Sequence, residues 1–135
     1  MVKEVSRNSA LAGNCLRAFI SGGLVCVVGQ FLTNRFTTMG ASATDAGMYT
    51  AVTLIFIGIL MTGLGIYDKI GKHAGAGFIV PITGFANAIA APAIEFKREG
   101  YVLGVGAKMF IVAGPVIVYG VLSSVFVGLL YFFMR

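Results

Sequence analysis

Charged residues in this chain fall between long uncharged runs, and those runs are the length of membrane crossings. Residues 18–34 carry no charge and lie between Arg17 and Arg35. At a rise of 1.5 Å per residue this run gives roughly 25 Å of helix against about 30 Å of hydrocarbon, so it spans with both arginines snorkelling. Residues 46–67 form a full-length uncharged run with Tyr49 and Tyr67 near its ends, where aromatic belts sit. Asp68, Lys69 and Lys72 close it. Residues 73–94 are numerous enough to cross but include Gly75, Gly77, Pro81, Gly84, Asn87 and Pro92, which is poor material for one straight helix. Residues 109–134 are uncharged and strongly apolar, with Gly114-Pro115 predicting a kink and Arg135 ending the run.

The pattern predicts an all-α integral membrane protein. It is a small polytopic helical bundle with three to four transmembrane segments, the third broken or re-entrant, forming one domain over residues 1–135. Composition agrees: apolar residues make up 58% and charged residues 11%. A water-soluble fold would lack the polar side chains to cover its surface. The basic start and Ala41-Ser42-Ala43 resemble a signal peptide and its cleavage site, but Arg35 stands between run and site and further spans follow. An uncleaved first helix is the expectation.

The net charge of +5 sits in the loops, as expected beside lipid headgroups. The bases are scattered in ones and twos and there is no Trp, so a nucleic-acid partner is not expected. Charge also bears on topology. With four crossings, Lys3, Arg7, Arg17, Lys69, Lys72 and Arg135 share the inner side, and Arg35, Lys97, Arg98 and Lys108 the outer. If the third run is re-entrant, Lys97, Arg98 and Lys108 move inside and Arg135 moves out, which the positive-inside rule prefers.

Little in the chain points to covalent chemistry. Cys15 and Cys26 are eleven residues apart, with the second inside an apolar run, a spacing that suits neither zinc nor a disulfide scaffold. His73 is the single histidine and reads as an interfacial loop residue, and no nucleophile and base can be paired around it. Glu95 and Glu99 flank Lys97 and Arg98 and read as a solvated charged loop. No catalytic residue, metal ligand or cofactor is expected.

Two features invite a function. In the third run, Thr83 and Asn87 lie four apart in an apolar segment interrupted by Pro81 and Gly84. Broken backbone at membrane depth is tolerated where it is buried in protein or lines a wet cavity. Either Pro81 kinks an ordinary helix whose Thr83 and Asn87 bond backbone or a neighbour, or a half-helix beginning after Pro81 turns its positive end and free amides toward an anionic solute. Lys108 adds a cation to that path or snorkels. In the last run, Gly120, Ser124 and Gly128 make a small-residue stripe suited to close helix packing. Helices this few enclose no wide pore alone, so a channel would need an oligomer or partner subunits.

The stretches Val80-Pro81-Ile82-Thr83-Gly84-Phe85-Ala86-Asn87 and Ala93-Ile94-Glu95-Phe96-Lys97-Arg98-Glu99-Gly100 closely resemble the SpoVA family of spore-forming bacteria. So do Ala18-Phe19-Ile20-Ser21-Gly22-Gly23-Leu24, Gly29-Gln30, Thr62-Gly63-Leu64-Gly65-Ile66-Tyr67-Asp68 and Ala74-Gly75-Ala76-Gly77, and the Glu95 to Gly100 stretch looks more like the AC type than the AE type. The resemblance implies a spore inner-membrane channel subunit that moves dipicolinic acid, as its calcium chelate, into the forespore and out at germination. It implies an AE-type membrane partner and a soluble AD-type subunit. Asp68, Lys69, Lys72, Glu95, Lys97, Arg98 and Glu99 are then the loop residues placed to meet a soluble partner. The rival expectation is a membrane scaffold that holds such a partner while the pore forms elsewhere.

Overall fold

A computed structural model describes residues 11–134. Lys3, Arg7 and Arg135, which enter the charge count, lie outside the described residues. The contacts group into two units that part after Asn87.

In the first unit, helix α1 (Leu11–Thr38) and helix α2 (Ala43–Gly63) make an antiparallel hairpin. The direction is fixed by paired contacts. Gly29 lies against Leu54, the Thr33 and Thr50 hydroxyls are 2.9 Å apart, and the Phe36 and Tyr49 rings meet edge to face at 5.7 Å. As numbers rise on one helix they fall on the other. Helix α1 is longer than the uncharged run that predicted it: its 28 residues extend about 42 Å and carry Arg17 and Arg35 within the helix. The polar flanks stay helical because nothing between Leu11 and Thr38 breaks the backbone ladder. Ser42, in the segment resembling a cleavage site, caps α2, its hydroxyl accepting from the Asp45 amide at 3.2 Å.

The second helix stops earlier than the uncharged run does. Gly65, at φ +66°, turns the chain after Gly63, and Tyr67 opens helix α3 (Tyr67–Ala74). Tyr67 is therefore no belt residue. It is 1% exposed, its hydroxyl donates to the Phe78 carbonyl at 2.9 Å, and its ring packs on that of Phe78. Gly75, at φ +67° where side chains are strained, separates α3 from the single turn α4 (Ala76–Ile79). Helix α5 (Ile82–Glu95) follows a break at Val80-Pro81. The third run is thus broken, and Pro81 stands just before a helix, where its missing N–H costs nothing. Pro92, by contrast, lies inside α5 and does not end it.

The first turns of α5 run in the same direction as α2. Thr83 and Ala86 pack on Gly58, and Asn87 meets Thr62, so both series rise together. A simple third crossing would run antiparallel to its predecessor.

The second unit holds a 3-10 turn (Phe96–Glu99), a π-helical turn (Tyr101–Gly106) and helix α6 (Ala107–Met134). The expected loop from Glu95 to Lys108 is therefore mostly helical, broken only at Gly100 with φ +97°. Pro115 sits within α6 without ending it.

Three helical segments, Leu11–Thr38, Ala43–Gly63 and Tyr101–Met134, are long and apolar enough to cross a membrane. Among the described residues the buried positions are small: Ala46, Thr50, Gly58, Thr83, Gly84, Ala86, Ala90 and Gly104, with Tyr67 the large exception. Large side chains such as Phe19, Phe56 and Phe126 point outward. That inversion is expected in lipid, where apolar bulk gains nothing from burial and helices hold together by close backbone approach.

Candidate functional site

The break at Val80-Pro81 is held by contacts too close for side chains. On α4, Gly77 lies against the Ala18 carbonyl and the Ser21 hydroxyl of α1, and a Cβ there would overlap that carbonyl. Ser21 donates to the Ala74 carbonyl at 2.9 Å, pinning the turn between α3 and α4 onto α1. Gly84 is buried under the Ile79 carbonyl, which occupies the space of its missing Cβ. These contacts fold Gly75 to Gly84 back on itself.

Of the residues singled out in this run, Asn87 faces open space. It lines a cleft of about 300 Å³ with Tyr67, Asp68, Gly71, Lys72 and Ile79. The cleft thus gathers one carboxylate, one ammonium group and one carboxamide at the base of the folded-back segment. Thr62 fixes Asn87 from behind, its hydroxyl lying 2.8 Å from the Asn87 side-chain oxygen and 2.7 Å from the Gly58 carbonyl. Thr62 thus holds one end of the carboxamide and leaves the other for the cleft.

Thr83 takes a different place. It is 6% exposed and packs on Gly58, and its hydroxyl is buried without a hydrogen-bond partner. Thr83 lines a second cleft, of about 320 Å³, with apolar side chains of α1 and α2 and with Ser21, Ile70, Ala74 and Phe78. Pro81 supplies the turn, its carbonyl accepting from the Gly84 amide at 2.8 Å. Lys108 belongs to the second unit, where its Nζ sits 4.4 Å from the centre of the Phe96 ring in a cation–π contact.

The remaining predicted residues are exposed. Asp68, Lys69 and Lys72 are on α3, Glu95 ends α5, and Lys97, Arg98 and Glu99 form the 3-10 turn. Gly120, Ser124 and Gly128 all lie on the exposed part of α6, and a Cβ at either glycine would meet nothing within 4 Å. The Ser124 hydroxyl bonds its own helix, at the Gly120 carbonyl.

The profile described as "SpoVAC/SpoVAEB sporulation membrane protein" matches residues 14–130. The chain belongs to this family. It is also 52% identical, over 132 residues, to "Stage V sporulation protein AC" of Bacillus subtilis (strain 168), a match covering 97% of this chain and 88% of that protein. No solved structure gives a significant match. For a SpoVAC/SpoVAEB sporulation membrane protein, the broken segment is the part of the first unit that departs most from plain spanning helices.

Sequence reasoning named Gly77 only as a helix breaker and missed Thr62 and Ser21, which with it brace the break. The four-residue spacing from small Gly58 to polar Thr62, matching that from Thr83 to Asn87, is the signal that could have paired the two helices in advance.

Proposed function

We propose that the chain is a non-enzymatic channel subunit of the spore inner membrane. It passes dipicolinic acid, as the calcium chelate, into the forespore and out at germination. Family membership supports the sporulation and membrane parts of this reading. The observation that carries the solute is the Asn87 cleft. A calcium chelate presents a cation and carboxylate oxygens together, and the cleft offers Asp68 to the one and Lys72 and the Asn87 amide to the other.

The same reading gives AE-type membrane and AD-type soluble subunits as partners. The exposed charges of Glu95, Lys97, Arg98 and Glu99 favour a docking role for that turn, and they equally serve the alternative, a scaffold that anchors a soluble partner without forming the pore. Reconstitution separates the two. Purified protein in liposomes loaded with calcium dipicolinate, with and without the AE-type subunit, should release the solute faster than protein-free liposomes loaded in the same way. Release that depends on the AE-type subunit but is unchanged by Asn87→Leu would leave this chain the scaffold.

A further inference from the structure

Beside the Asn87 cleft is another whose chemistry the reading above does not use. It has about 450 Å³ of volume and is lined by Asn14, Cys15 and Arg17 of α1, by Lys72 and His73 of α3, and by Gly75 and Ala76 of the following turn. The Ser21 to Ala74 hydrogen bond and the seating of Gly77 against Ala18 set these two walls face to face. Arg17 is one helical turn before Ser21, and Lys72 and His73 directly precede Ala74. Two permanent cations and an imidazole therefore converge from separate helices.

Among the described residues no carboxylate lines this cleft. Like charges facing one cleft repel, and an anion between them relieves that repulsion. Asn14, Arg17 and Lys72 can each donate to one. The His73 Nδ1 is 3.0 Å from the Lys69 carbonyl, which can only accept, so Nδ1 carries the proton of that bond. Nε2 makes no hydrogen bond among the described residues. Asn14 contributes an amide, and Arg17 a guanidinium fork that matches two oxygens of a phosphate or carboxylate.

We infer that this cleft is an anion-binding site for a phosphate or carboxylate group. The chemistry is shared by a free anion entering from water and by a phospholipid headgroup, since the uncharged run of α1 begins directly after Arg17. Lys72 lines both clefts, so an anion held here is one side chain away from Asn87. The site stands independently of which solute the protein moves.

The test uses the full-length protein in nanodiscs, with inorganic phosphate as the free probe in phosphatidylcholine and with phosphatidylglycerol as the lipid probe. Phosphate should bind saturably in phosphatidylcholine. Binding should weaken roughly tenfold with Arg17→Gln or Lys72→Gln and be unchanged with Arg35→Gln at the other end of α1. If phosphate fails to bind but phosphatidylglycerol is enriched around the wild type and not around Arg17→Gln, the headgroup is the ligand. Variants are compared only where helical circular dichroism matches the wild type. Anion and lipid binding that are both absent, or equal in all four proteins, would overturn the site.

Discussion

Thr62 and Asn87 meet side chain to side chain, with Thr62 Oγ1 2.8 Å from Asn87 Oδ1. The same hydroxyl is 2.7 Å from the Gly58 carbonyl, so its single proton is shared between two acceptors. This contact couples the end of α2 to the folded-back segment and leaves the other end of the Asn87 carboxamide for a ligand.

Asn87→Leu removes that carboxamide without adding charge. Thr62 keeps its bond to Gly58, so the cost in stability should be small, about 1 kcal/mol or less for the lost contact. Movement of dipicolinate should slow about tenfold if the amide contacts a carboxylate of the solute. Uptake into developing spores and release at germination report this directly. Unchanged rates with normal protein levels would remove Asn87 from the path.

The glycines under the break should rank by the space each one has. A Cβ on Gly58 would be 3.0 Å from the Thr83 carbonyl and 3.3 Å from the Ala86 methyl, contacts that small shifts can relieve. At Gly84 and Gly77 the obstruction is a backbone carbonyl in the Cβ position itself. Gly58→Ala should therefore cost about 1 kcal/mol, and Gly84→Ala and Gly77→Ala more, in the upper part of the roughly 1–3 kcal/mol range for overpacking. Unfolding in mixed micelles of rising denaturing detergent would give the order. Gly58→Ala proving the worst would contradict the packing described.

Much of this was legible in the sequence because lipid simplifies the problem: uncharged runs of sufficient length must be helices, and the Pro81 and Gly84 interruption had to break one. Boundaries were less legible. Arg17 and Arg35 looked like helix ends, yet long basic side chains reach water from inside a helix, so charge marks the membrane edge and not the end of the backbone ladder. Tyr67 looked like a belt residue because its number suited a helix end, and only the turn at Gly65 carries it into the interior. Within the site, Asn87 could be singled out from its polarity alone. Its cleft neighbours Asp68 and Lys72 were read as loop charges because they are distant in sequence and meet Asn87 only through the fold.

Gly120, Ser124 and Gly128 give α6 a face that another helix could approach closely, and that face is exposed. If a second subunit covers it, Gly120→Leu and Gly128→Leu should each lower recovery of the assembled complex in mild detergent, while leaving the amount of inserted protein unchanged. Full recovery with both substitutions together would show that the stripe faces lipid.

The membrane sidedness of the charged turn at Lys97 and Arg98 follows from two independent arguments. The first is direction: α5 from Thr83 to Asn87 rises alongside α2 from Gly58 to Thr62, so the chain re-emerges toward the face at which α2 ended. The second is charge. Placing Lys97, Arg98 and Lys108 on the side of Arg17, Lys69 and Lys72 leaves Arg35 as the lone opposing base among the described residues, the distribution the positive-inside rule favours. A folded-back segment also accounts for Gly75, Pro81 and Gly84, since a chain that reverses within the bilayer must leave helical geometry where neighbouring helices shield it. We therefore expect three crossings and one re-entrant segment. Single cysteines at Thr38, Lys69 and Arg98, in a background with Cys15 and Cys26 replaced by serine, can be labelled with an impermeant maleimide in intact cells and in inverted vesicles. Arg98→Cys should follow Lys69→Cys in both preparations and oppose Thr38→Cys. If Arg98→Cys instead follows Thr38→Cys, the third run crosses the membrane and the re-entrant topology is wrong.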